Sequence, residues 1–175
     1  LSDQTRQSWS EQIAFVKLLN SLSSLDILPL TDDGRPGGDG IPDLNPQNLL
    51  YYGGSEGANK GFATLPFQPD IVGAVLSAGG ARLADTITVN DGTNTNGFLN
   101  SIEEAALGIS LNEAFTAASL LQSLVDPETP ANFTEFFYSN QVSLAGNPNI
   151  SILIQEGLQD SFVPNVSTRA TAAQI

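Results

Sequence analysis

The sequence predicts an α/β fold: a parallel sheet with flanking helices and an inserted helical segment. Three observations carry this. Residues 48–52 form an apolar, aromatic run that meets glycines and then a helix start, while residues 71–78 and 150–155 are continuous apolar runs of strand length. Runs of that kind, bounded by turn residues, are expected of strands buried on both faces of a parallel sheet.

The 175 residues, 41% hydrophobic and only 14% charged, suffice for one folded domain with its own core. A net charge of −13 repels polyanions, so nucleic acids and anionic membrane surfaces are excluded as expected partners. There is no signal-peptide pattern at Leu1 and no apolar run long enough to span a bilayer. The absence of cysteine excludes disulfides, thiol catalysis and cysteine-based zinc sites. The absence of histidine removes the usual general base of a serine nucleophile. With no methionine and Leu at position 1, the expectation is a piece of a longer protein.

Taken in order, Trp9, Ile13, Val16, Leu19 and Leu22 recur every three or four residues and predict an amphipathic helix through about Ser23, covering one sheet face. Residues 31–46 are rich in Asp, Gly and Pro and predict a surface loop. Its aspartates, Asp32, Asp33, Asp39 and Asp43, invite a calcium reading. The spacing of a calcium-binding loop is absent, however, and no glutamate closes the loop, so a solvated loop is expected. After the first strand a helix is expected from Glu56 to about Thr64, ended by Pro66. The second strand, residues 71–78, is stopped by Gly79 and Gly80 and completes a βαβ unit.

Residues 81–148 change character. Ser101/Glu104 and Ser110/Glu113 are capping boxes, and Thr129-Pro130 supplies a third helix start, so short helices are expected here. Residues 90–97 read as a mobile loop. The aromatic cluster Phe133, Phe136, Phe137 and Tyr138 suits a core, with substrate contact as the alternative. Residues 150–155 give the third strand, and a last helix is expected to start near Asn165 or Ser167 and to reach the end of the chain.

Gly53-Gly54-Ser55-Glu56-Gly57 fits G-x-S-x-G, in which a sharp strand-to-helix turn lifts a serine hydroxyl clear of the backbone. An ordinary glycine-rich βα turn would give the same letters. The apolar run before the motif, and the small Ala58 and Gly61 where a helix must approach a sheet closely, favour the nucleophile reading.

With that motif, then Ala74-Val75-Leu76-Ser77-Ala78-Gly79-Gly80, then residues 125–133, then Gln155-Glu156-Gly157-Leu158-Gln159-Asp160 leading to Val163-Pro164, the chain resembles the α/β-hydrolases. It looks most like bacterial lipases and esterases with a helical cap, here residues 81–148 within a single domain of residues 1–175. The resemblance spans about residues 45–168. It implies that Ser55 is the acyl-forming nucleophile, Asp160 the acid that orients a histidine, and the backbone N–H of Glu56 an oxyanion donor. It further implies a small-molecule ester or lipid substrate, no cofactor, no metal and an extracellular or cell-envelope location.

The departures are specific. Ala58 stands where a second glycine is usual and Gly54 where histidine is frequent. No histidine follows Asp160, and only a helix and a loop precede the first strand. The resemblance is therefore to an incomplete hydrolase, whose sheet edges pair with missing segments or another chain. The cap is expected over the Ser55 edge, with Phe133, Phe136 and Phe137 turned partly toward the sheet. Two other classes remain open: a non-catalytic binding or structural module, and a calcium-dependent adhesion piece, marked by metal at Asp33, Asp39 and Asp43.

Overall fold

A computed structural model of the chain describes residues 2–28, 37–81, 120, 129–138, 150–160 and 162–175. The two capping boxes, the 90–97 loop, Asp32 and Asp33 lie outside these residues, as does most of the expected cap. The elements are α1 (Ser2–Ser21), β1 (Leu49–Gly54), α2 (Glu56–Thr64), β2 (Ile71–Ser77), α3 (Ala131–Thr134), β3 (Ser151–Gln155) and α4 (Asn165–Ala172). Short 3-10 turns at Pro46–Asn48 and Leu65–Phe67 lead into β1 and β2. The described chain is thus α/β, built on a small parallel sheet.

The strand order is β1-β2-β3, and both pairings are parallel. Cross-strand rows alternate between the two faces. Tyr51, Ala74 and Ile152 form one inward row, and Gly53, Leu76 and Ile154 the next. Against them lie Ala58, Phe62 and Leu65 of α2 and its following turn, joined by Phe137 and Ile150 in one buried cluster. Helix α2 sits close because its neighbours are small. A Cβ on Gly61 would stand 2.6 Å from Leu76 Cδ2, and one on Gly79 would stand 2.4 Å from the Ala58 Cβ. Ala58 and Gly61 thus hold the place the sequence assigns them.

The opposite face corrects one expectation. The continuous apolar runs predict burial on both faces, yet β1 and β3 alternate, and Leu50, Tyr52 and Leu153 are 77%, 73% and 52% exposed. Leu50, Gly73 and Ser151 form one outward row, and Tyr52, Val75 and Leu153 the next. Leu50, Gly73, Val75, Ser151 and Leu153 of these rows line a shallow trough of about 320 Å³. No element among the described residues covers it.

Helix α1 packs on the inward side of the sheet, chiefly through α2. Its stripe of Trp9, Ile13, Val16 and Leu19 is the covered side, and Phe15 and Leu18 point away. It leans mainly on α2 and on the turn before β1, and reaches the sheet where Gln12 Oε1 accepts from the Tyr51 hydroxyl at 3.5 Å. Gln12 Nε2 donates to Thr64 Oγ1 at 2.7 Å, and Asn20 Nδ2 donates to Asp70 Oδ2 at 2.7 Å.

Of the expected cap, the described segment 129–138 packs through its aromatic residues. Phe133 meets Trp9 edge-on at 5.3 Å and Phe67 at 6.2 Å, while Phe136 lies 5.7 Å from Phe67. The Tyr138 hydroxyl donates to the Ile150 carbonyl at 2.6 Å. Phe67 and Ile150 precede β2 and β3, so these aromatics gather toward the N-terminal edge of the sheet, away from Ser55. Their size and apolarity are met by mutual packing, which is the core reading of the cluster.

The two faces carry opposite predictions for stability. Leu76→Ala, which empties a fully buried site, is expected to cost about 2–5 kcal/mol in urea unfolding of this chain. Leu153→Lys on the bare face is expected to stay within about 0.5 kcal/mol and to reduce aggregation. A comparable loss from both substitutions would mean that the outward face is covered in solution.

Candidate functional site

The three strands end level. Gly54 pairs with Ser77, and Ser77 with Gln155. The ladder then runs one residue further, with the Ser55 N–H donating to the Ser77 carbonyl at 2.8 Å and the Ala78 N–H to the Gln155 carbonyl at 2.8 Å. Ser55 therefore leaves the sheet at the same height as Glu156, two strands away. At the usual strand spacing that is a lateral separation of about 10 Å. The C-terminal edge of a parallel sheet is where ligands bind in open α/β folds.

Ser55 sits between β1 and α2 with φ 52° and ψ −114°. That region is sparsely populated for a residue with a Cβ, and holding it costs on the order of 1–3 kcal/mol. What fixes it is the start of α2: the Ser55 carbonyl accepts from Ala58 N–H at 2.9 Å and Asn59 N–H at 3.1 Å. Gly53 makes this possible. A Cβ there would lie 2.5 Å from the Gly57 carbonyl oxygen and 2.8 Å from the Ala58 nitrogen, both backbone atoms. Gly57 differs, because nothing lies within 4 Å of its would-be Cβ, so of the two framing glycines only Gly53 is demanded by space.

Tyr51 adds a stay below the turn. Its hydroxyl donates to the Gly57 carbonyl at 2.6 Å, and burial raises its pKa, so it remains a protonated donor across the neutral range. Glu56 is the first residue of α2, and its N–H lies ahead of the intrahelical ladder. Ser55 itself is exposed.

Asp160 stands on the loop after β3, at the same sheet edge as Ser55. It is half-buried, and its Oδ1 accepts the N–H groups of Phe162 at 2.8 Å and Val163 at 3.0 Å. Gln159 beside it takes φ 55°, a left-handed turn that brings the carboxylate round. Leu158 and Phe162 flank it and are exposed.

Three further groups hold this edge, and spacing in the sequence does not reveal them. Arg169 on α4 meets Glu156 through both carboxylate oxygens, Nε at 3.1 Å to each and Nη2 at 2.7 Å to Oε1. Asn165 Nδ2 donates to the Gly157 carbonyl at 2.7 Å. Asn59 Oδ1 accepts from Gly80 N–H at 2.9 Å, tying α2 to the turn after β2. Their partners lie eight to twenty-one residues away in sequence, beyond any local motif.

Hydrogen bonds from Arg169 hold the Glu156 carboxyl below the usual carboxylate range, and the Arg169 pKa rises in return. A lowered carboxylate value places the stabilisation above the ordinary glutamate pKa. It is lost as the pH falls through the lowered one.

The acidic loop has a different use. Asp26 accepts the N–H groups of Asp39 at 2.9 Å and Gly40 at 2.8 Å, Asp43 those of Ile27 and Leu28, and Asp39 that of Ile41. These carboxylates close the loop base by accepting backbone N–H groups. No group of three or more metal-ligating side chains occurs among the described residues.

The geometry predicts unequal glycines and a relievable strain. Gly53→Ala is expected to destabilise by about 1–3 kcal/mol, whereas Gly57→Ala is expected to be neutral or to stabilise by up to about 1 kcal/mol. Ser55→Gly should raise the unfolding midpoint by releasing the strained φ. Urea unfolding of the three variants checks this, and equal effects at positions 53 and 57 would contradict the turn geometry.

No protein-family model, no curated protein and no solved structure matches the chain.

Proposed function

We propose that the chain carries the nucleophile and acid of a serine carboxylic-ester hydrolase of the α/β-hydrolase kind, resembling bacterial lipases and esterases. The observation that carries this reading is the strained Ser55 at a strand-to-helix turn, with Asp160 on the same sheet edge. In this reading the base is a histidine outside these 175 residues, set between the two side chains and oriented by Asp160. Ser55 Oγ attacks the ester carbonyl carbon while its proton passes to the imidazole. The Glu56 N–H steadies the oxyanion, and collapse expels the alcohol with that proton. Water then attacks the acyl-enzyme by the same route and releases the acid.

The rest of the proposal follows from what the described chain leaves bare. Missing hydrolase segments, or another chain, pair with the free edges of β1 and β3 and cover the trough. A helical cap within residues 81–148 shapes the acyl pocket, the substrate is a small ester or a lipid, and the protein works outside the cell or in a bacterial envelope. Among the described residues no helix is long and apolar enough to cross a membrane.

A second reading, a binding or structural module on a hydrolase-like fold, is favoured by one observation, the absence of histidine from the chain. The assay separates the two. Alone, the chain is expected to hydrolyse p-nitrophenyl butyrate about 10⁶-fold more slowly than the protein completed with its histidine-bearing segment. Ser55→Ala in the completed protein is expected to abolish turnover with little change in thermal stability. Efficient hydrolysis by the isolated chain, with contaminating hydrolase excluded, would contradict the external base. An inactive completed protein would leave the binding module.

A further inference from the structure

The loop that carries Asp160 is braced from outside itself. Its internal bonds, Phe162 and Val163 N–H to Asp160 Oδ1, shape the turn but do not attach it to the sheet. Val163 is buried beside Gly80, and the attachment next to β3 comes from α4. Arg169 grips Glu156, the first residue past β3, in a two-oxygen geometry that fixes direction as well as distance, and Asn165 holds the next carbonyl, that of Gly157.

Helix α4 is in turn seated in the core. Ser167 and Thr171 are fully buried, Thr171 Oγ1 accepts the Ala81 N–H at 3.1 Å, and a Cβ on Gly80 would stand 2.6 Å from Ser167 Oγ. Gly80 is tied through Asn59 to α2, whose first residue follows Ser55. A continuous path of contacts thus joins Ser55 to the Asp160 loop without passing through the strands.

We propose that Arg169 and Glu156 are positioning residues that set where the Asp160 carboxylate stands relative to Ser55, with α4 as the rigid arm; this rests on the hydrolase reading of the edge. The solvent contact of the pair supports a local role. Arg169 and Glu156 side chains are 67% and 28% exposed, and an ion pair so placed adds little to global stability. Its two-oxygen grip contributes orientation.

The test is amide hydrogen exchange by NMR on this chain, paired with urea unfolding. In Arg169→Ala and in Glu156→Gln, exchange at Phe162 and Val163 should quicken by on the order of tenfold. Amides of β2 and α2, and the urea midpoint, should hold. The charge swap Glu156→Arg with Arg169→Glu should restore protection. In the completed protein, Arg169→Ala should lower kcat for p-nitrophenyl butyrate with KM unchanged.

Unchanged exchange at Phe162 and Val163 would overturn the proposal. A rise in exchange throughout the chain with a lower urea midpoint would also overturn it, by making the pair a general brace, as would an unchanged kcat. The exchange arm contains no ester chemistry, so its failure leaves the role of Ser55 untouched. An inactive completed wild-type protein would instead remove the hydrolase reading while leaving the measured anchoring in place.

Discussion

The close approach of α2 to the ends of β1 and β2 is the constraint on which this fold depends. A helix whose first turn lies against strand backbone leaves no room for side chains, and Gly53, Ala58, Gly61 and Gly79 supply that room together. Because α2 begins so near the sheet, Ser55 is forced into its left-handed φ and its side chain is left at the edge. The same approach buries Phe62 and Leu65 against Leu76 and builds most of the described core. Local strain at one residue and packing of the whole sheet thus arise from one geometric requirement. The cost at Ser55, about 1–3 kcal/mol, is the size of a single good core contact, and the burial beneath α2 offsets it.

Much of this was legible in the residues. The apolar runs located all three strands within a residue or two. The helix of residues 56–64 was marked by the glycines before it and Pro66 after it, and the last helix starts at Asn165, one of its two expected starts, but ends at Ala172, short of the expected chain end. Ser55 was singled out by its motif and Asp160 by the family resemblance, and their placement on one edge follows from parallel strands alone. What was not legible depends on contacts distant in sequence. A continuous apolar run looks the same whether one face or two is covered, so the bare row of Tyr52, Val75 and Leu153 had no signal. Helix α1 shows a clear stripe, but a stripe does not say whether its partner is a sheet or another helix. The Arg169–Glu156 grip joins residues thirteen apart, and neither has a neighbour that marks it.

Two kinds of carboxylate organise the polar surface. Asp26, Asp39 and Asp43 accept backbone N–H groups and so replace the ladder bonds that a loop lacks. Asp160 spends one oxygen in the same way and stands at the edge of the sheet beside exposed Leu158 and Phe162. A carboxylate fixed by backbone donors keeps its direction when a partner approaches, which is what orienting an imidazole would require. The apolar residues beside it, and the bare sheet face, are surface that a protein ordinarily covers.

Ser55 is the atom-level centre of this reading, and its reactivity can be measured without knowing which segment supplies the base. The protein purified from its source, treated with a fluorophosphonate and digested for mass spectrometry, should carry the phosphonyl adduct on Ser55 and on no other serine. Labelling should fall away when the protein is unfolded first. A folded protein that takes up no adduct at Ser55, while a control serine hydrolase in the same sample is fully labelled, would contradict a nucleophile at this turn.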